Sequence, residues 1–174
     1  MLLGCSDLLS SLRRTDVADV DACREQIFAS PRMITNAKVS GMLRAGKIIL
    51  TVTLVATMLG PTVIDFNESH VFNPAWPPHA RFHTVELLAV GIGMALVGLW
   101  LLWRRSFFQV AAAVPVVVWG AFFVPLFVPG TSYEEYPGES ARLAGIPMNL
   151  FMAVVFIVLT LAGYWMCVRK PSAG

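Results

Sequence analysis

Charge is what this sequence has least of. Only 14% of its 174 residues are Asp, Glu, Lys or Arg, where a soluble domain carries about a quarter. The shortage is local. Residues 1–47 hold half of the charges, while the stretches 48–64, 87–103, 106–128 and 146–168 hold none. The net charge of +2, with basic residues scattered rather than striped, excludes a nucleic-acid partner. Cysteine is scarce too, and Cys5, Cys23 and Cys167 cannot form a fully paired framework. No internal repeat suggests a duplicated transporter fold, so transport is disfavoured unless the protein oligomerises. No cleavable signal is visible either: only four residues precede Cys5, too few for the basic and apolar segments a lipoprotein signal needs.

What remains is long apolar runs. A helix needs about 20 mostly apolar residues to cross the hydrocarbon core, with a range of roughly 17–25. All four charge-free stretches meet this, the second once the segment from Thr84, including Glu86, is counted. Barrel strands would alternate apolar and polar residues, and these runs do not. The expectation is an all-α, four-helix transmembrane bundle, with spans at 47–64, 82–103, 106–128 and 146–168. Residues 1–45 read as a cytoplasmic N-terminal tail, mobile or preceding a true start at Met33 or Met42, and 169–174 as a C-terminal tail.

Orientation follows from the basic residues, which accumulate on cytoplasmic flanks. Arg44 and Lys47 precede the first span, Arg104 and Arg105 link the second and third, and Arg169 and Lys170 follow the fourth. The loop 65–83 has only Arg81, and the loop 129–145 has Arg142 against Glu134, Glu135 and Glu139. Both termini are therefore expected inside, making a multi-pass membrane protein with two longer loops outside. Trp100, Trp103 and Trp165 lie near the basic ends, as interfacial anchors do. All three cysteines then face the cytoplasm, where thiols stay reduced, and Cys167 at the membrane edge leaves acylation open. The link Arg104-Arg105-Ser106 forces the second and third helices into an antiparallel hairpin. Pro115 is expected to kink the third helix, and Pro125 and Pro129 to end it. Trp119, Phe122 and Phe123 read as packing residues, and Gly91, Gly93 and Gly98 as points of close helix approach.

One segment is not explained by membrane crossing. All three histidines fall between His70 and His83, and Glu86 follows. Pro77-Pro78 leads into a helix, so the second helix is expected to begin near Pro78. From there His79, His83 and Glu86 stand at i, i+4 and i+7, within about 60° of one face. Two imidazoles at that spacing can share a divalent metal ion, with Glu86 or His70 as third ligand. Without metal, His83 and Glu86 can act as an acid–base pair on an apolar substrate held among the helices. A structural role, metal or haem-like ligation, and acid–base contact all stay open for His79 and His83. Glu86 favours function, because an unpaired carboxylate below the interface is costly. Asp65 and Glu68 at the end of the first helix form a turn or complete the site. Asn73 and Trp76 belong to a rigid cap, Arg81 reads as an interfacial anchor, and Asn149 is placed to reach the same site. Asn67-Glu68-Ser69 matches a glycosylation sequon set close to the membrane.

The string Asn73-Pro-Ala-Trp76-Pro-Pro-His79-Ala-Arg-Phe-His83, preceded by His70 and leading into the second of four helices, resembles a family of small uncharacterised bacterial and fungal membrane proteins. The resemblance covers roughly residues 45–168 and implies an architecture and a motif, not a reaction. A bundle with His and Glu facing inward also resembles, at the level of fold alone, the sterol-isomerase and sigma-receptor type. Two functions are carried forward. One is a His/Glu site that binds a metal ion or acts on a small lipophilic molecule. The other is a non-catalytic accessory subunit, in which the loop 65–83 caps the bundle or meets a membrane partner protein. The lipid bilayer is a partner in both.

Overall fold

The computed structural model describes the backbone of residues 17–133 and 141–169, with side chains from residue 39 onward in those ranges. Cys5, the Cys23 side chain and the acidic residues Glu134, Glu135 and Glu139 lie outside the described residues. The chain divides into two compact units, one of residues 42–170 and one of residues 1–41 with 171–174.

Four helices are long and apolar enough to cross a membrane, over Val39–Asp65, Pro78–Arg105, Phe108–Phe127 and Met148–Val168. Helix α1, Val17–Asp65, begins well before the expected first span and carries it at its C-terminal end. Its threonines from Thr51 onward do not leave hydroxyls bare in an apolar setting. Thr51, Thr57 and Thr62 each donate to the carbonyl four residues earlier, at 2.8, 2.8 and 2.7 Å, and Thr53 to that of Leu50 at 3.1 Å. Helix α2, Pro78–Trp100, opens with Pro77 as its N-cap, as the proline pair predicts. It closes in a π-helical turn, Leu101–Arg105, that aims Trp103 at α1, where its Nε1 donates to Thr51 Oγ1 at 3.0 Å. Ser106, with φ of 54°, turns the chain into the expected hairpin.

Helix α3, Phe108–Gly120, continues past the buried Pro115 without a break. The change comes six residues later, where Ala121–Phe127 tightens into a 3₁₀ helix holding Pro125. The second long loop is not wholly irregular. Strands β1 (Arg142–Leu143) and β2 (Ile146–Pro147) pair antiparallel ahead of α4, Met148–Val168. Their two-residue turn needs positive φ at both positions, met by Ala144 at 51° and Gly145 at 81°.

The core joins Leu50 and Leu54 of α1 to Ala95 and Leu102 of the second span and Ala111, Ala112 and Val114 of α3. Of the three glycines expected at close approaches, only Gly98 makes one. Gly91 and Gly93 face open space, whereas a Cβ on Gly98 would lie 2.7 Å from Leu54 Cδ2. Backbone meets backbone where α1 crosses α4: a Cβ on Gly46 would stand 2.8 Å from the carbonyl oxygen of Gly163. At the basic end, Lys47 Nζ lies 5.4 Å from the Trp103 ring, Arg105 Cζ 5.8 Å from Trp100 and Arg169 Cζ 4.4 Å from Trp165.

Candidate functional site

At the opposite end, the expected site residues fall into two separate groups. The first is a ladder on α2. His83 Nδ1 is 3.1 Å from Glu86 Oε2, and His83 Nε2 is 3.1 Å from His79 Nε2. The helical spacing brought these three together as the sequence predicts. With neutral rings the carboxylate accepts from His83 Nδ1–H, so His83 Nε2 accepts from His79 Nε2–H.

The ladder departs from expectation in two respects. It faces outward: the buried side of α2 is Leu88, Ala95 and Gly98, while the side chains of His83 and Glu86 are 58% and 55% exposed. It is also not a three-ligand metal site. Glu86 holds the nitrogen of His83 that points away from His79, so one ion cannot take all three groups in this arrangement. Among the described residues no three His, Cys, Asp or Glu side chains converge as a ligand set, and His70 belongs to the second group. Arg81, half-buried, takes no part in the ladder.

The second group lines a cavity of about 720 Å³ between the ends of α1, α3 and α4. Its wall is aromatic: Trp119 stacks on Phe122 at 5.4 Å and on Phe156 at 4.6 Å. Its polar end is formed by Asp65, His70 and Asn149. Trp119 is nearly buried and is fixed by its Nε1 donating to Thr57 Oγ1 at 2.9 Å. Asn149 Oδ1 accepts from the backbone N–H of Leu150 at 2.9 Å, in the first turn of α4.

The loop between α1 and α2 places His70. Asn73 is buried and ties the loop, donating to the Ser69 carbonyl at 3.0 Å and accepting from Ala75 N–H at 2.9 Å. Trp76 meets the His70 ring edge-on at 5.2 Å. His70 Nδ1 contacts Ser69 Oγ at 2.7 Å, and its Nε2 is 3.8 Å from Asp65 Oδ1. Asn67, the sequon residue, is tied into the turn: Nδ2 donates to the Ile64 carbonyl at 2.6 Å, and Oδ1 accepts from Ser69 N–H at 2.8 Å. Asn73 and Trp76, expected in a cap, thus lie in the same loop as His70, with Trp76 against its ring. Trp119 and Phe122 read from the sequence as packing residues, and nothing local in the sequence reveals the space beside them.

Residues 49–170 match the model of a family described as a family of unknown function, DUF6640. The chain belongs to the DUF6640 family. No match is found among curated proteins or among solved structures. The matched segment of this DUF6640 protein contains the α2 ladder, Asp65, His70 and the aromatic wall. Both groups therefore lie within the matched residues.

Proposed function

We propose that this DUF6640 protein is an integral membrane protein, with both termini on the cytoplasmic side, that binds a small lipophilic molecule with a polar head. The observation that carries this reading is the 720 Å³ cavity with an aromatic wall and a polar end. Its size falls in the range of about 300–1,000 Å³ usual for small-molecule sites. Four apolar helices support the membrane setting, and the basic and tryptophan-rich end supports the orientation. The family model adds no reaction, and none is assigned.

The reading is tested with a brominated long-chain alcohol added to the protein in phosphatidylcholine nanodiscs. Bromine quenches indole fluorescence at short range, and Trp119 lines the cavity. Saturable quenching is expected in the wild type, reduced in Trp119→Phe and lost in Ala56→Phe, which fills the cavity. Identical, non-saturable quenching in all three proteins would refute binding at this place.

The outward ladder favours a second reading, an accessory role in which a second chain covers α2. A hydrogen-bonded His–His–Glu series on a lipid-facing surface is costly in hydrocarbon and less so against protein. Light scattering of the detergent-solubilised protein measures this. A complex that His79→Ala/Glu86→Ala reduces to a monomer supports it, and a monomeric wild type ends it.

A further inference from the structure

The polar end of the cavity has a hydrogen-bonding pattern more specific than mere polarity. Asn67 is oriented by its donation to the Ile64 carbonyl, so its Oδ1 is the acceptor. Ser69 Oγ lies 2.6 Å from that oxygen. Two oxygens so close need a proton between them, and only the serine hydroxyl supplies it. Ser69 Oγ is then left to accept, and its neighbour at 2.7 Å, His70 Nδ1, must be the N–H donor. Neutral His70 therefore presents a bare Nε2. That atom faces Asp65 Oδ1 across 3.8 Å, with no donor between them among the described residues. The same assignment uses the Ser69 proton on Asn67, so Ser69 is not poised as a nucleophile with His70 as its base.

Two acceptors, one of them a carboxylate, line the cavity and have no protein donor among the described residues. We propose that they recognise the protonated amino group of a lipophilic amine, whose hydrocarbon part lies along Trp119, Phe122 and Phe156. This deepens the cavity reading above and rests on it. A donor atom about 2.8 Å from each acceptor fits in the 3.8 Å gap, with the two bonds roughly 85° apart. One ammonium nitrogen with two or more N–H bonds reaches both and neutralises the carboxylate. A hydroxyl has a single proton and leaves one acceptor unpaired. A quaternary ammonium carries charge but no N–H.

The test is displacement of the brominated alcohol from the nanodisc-held protein by dodecylammonium, dodecanol and dodecyltrimethylammonium. A charge-assisted hydrogen bond contributes about 1.5–3 kcal/mol, which corresponds to at least about tenfold in affinity. Dodecylammonium is expected to displace the probe at concentrations at least about tenfold lower than either of the others, and Asp65→Asn to erase that advantage while dodecanol binds as before. Equal displacement by dodecylammonium and dodecanol in the wild type, with Ala56→Phe still blocking the probe, overturns the amine assignment and leaves the cavity reading standing. Absence of any saturable binding overturns the cavity reading itself. Should Asp65→Asn fail to fold, the wild-type ranking decides alone, because only an N–H-specific site places the primary amine above the quaternary one.

Discussion

Valine at position 46 is expected to prevent α1 from docking on α4. The added Cβ alone would stand 2.8 Å from the Gly163 carbonyl oxygen, 2.8 Å from Cys167 Sγ and 3.0 Å from Met166 Cβ. A backbone oxygen cannot swing aside as a flexible side chain can, so the helices must separate. Valine at position 163 meets the same crossing from the other side, 2.9 Å from Ile49 Cγ2 and 3.2 Å from the Gly46 oxygen. Overpacking of this kind costs about 1–3 kcal/mol, and more where backbone is the obstacle. Between membrane helices the loss is felt directly, since close van der Waals packing is a main source of association there. Gly93→Val is the control. Nothing lies within 4 Å of a Cβ at that position, and its melting temperature in detergent is expected to match the wild type. Equal melting of Gly46→Val and Gly93→Val would show that the α1–α4 crossing is not where stability resides.

Trp119→Ala is the second substitution with a large expected effect. The side chain is only 4% exposed, stacks on two phenylalanines and donates to Thr57 Oγ1. Removing a buried tryptophan costs about 3–5 kcal/mol, because the surroundings close only partly over the space left. Here the space joins an existing cavity, so collapse is even less available and the loss belongs at the upper end. Trp119→Phe separates the contributions. It keeps an aromatic ring in the stack and removes the donor to Thr57, for about 1–3 kcal/mol. Thermal unfolding followed by circular dichroism should order the proteins as wild type, then Phe, then Ala. An alanine variant as stable as the phenylalanine one would mean that the ring contributes nothing beyond its hydrogen bond.

These residues also show how far the sequence could be read. The four spans were legible because charge vanishes from them, and the α2–α3 hairpin because only Arg104, Arg105 and Ser106 connect two runs. The start of α2 at Pro78 and the His79–His83–Glu86 ladder followed from proline chemistry and a 3.6-residue period. Which face of α2 meets its neighbours was not legible. In a water-soluble helix the apolar stripe marks the inside, but lipid is as apolar as a protein core, so both faces carry the same residues. Leu88 is buried and Leu87 is 73% exposed, and nothing in their identity separates them. The same symmetry hid the Gly46–Gly163 crossing. Its one available signal was that each glycine lies near the basic end of its span. The cavity was hidden for a different reason, since Asp65, Trp119 and Asn149 converge only once three helices are placed together.

The 3₁₀ segment at the end of α3 bears on how a guest would enter. A 3₁₀ helix rises about 2.0 Å per residue with three residues per turn, against 1.5 Å and 3.6 in an α-helix. The seven residues Ala121–Phe127 therefore cover about 14 Å as a thinner rod than the thirteen before them. A thinner rod leaves its neighbours uncovered along one side, and Phe122 and Pro125 from this stretch border the cavity. On the reading proposed above, this narrowing would be where a molecule dissolved in the bilayer slides in sideways without first passing through water.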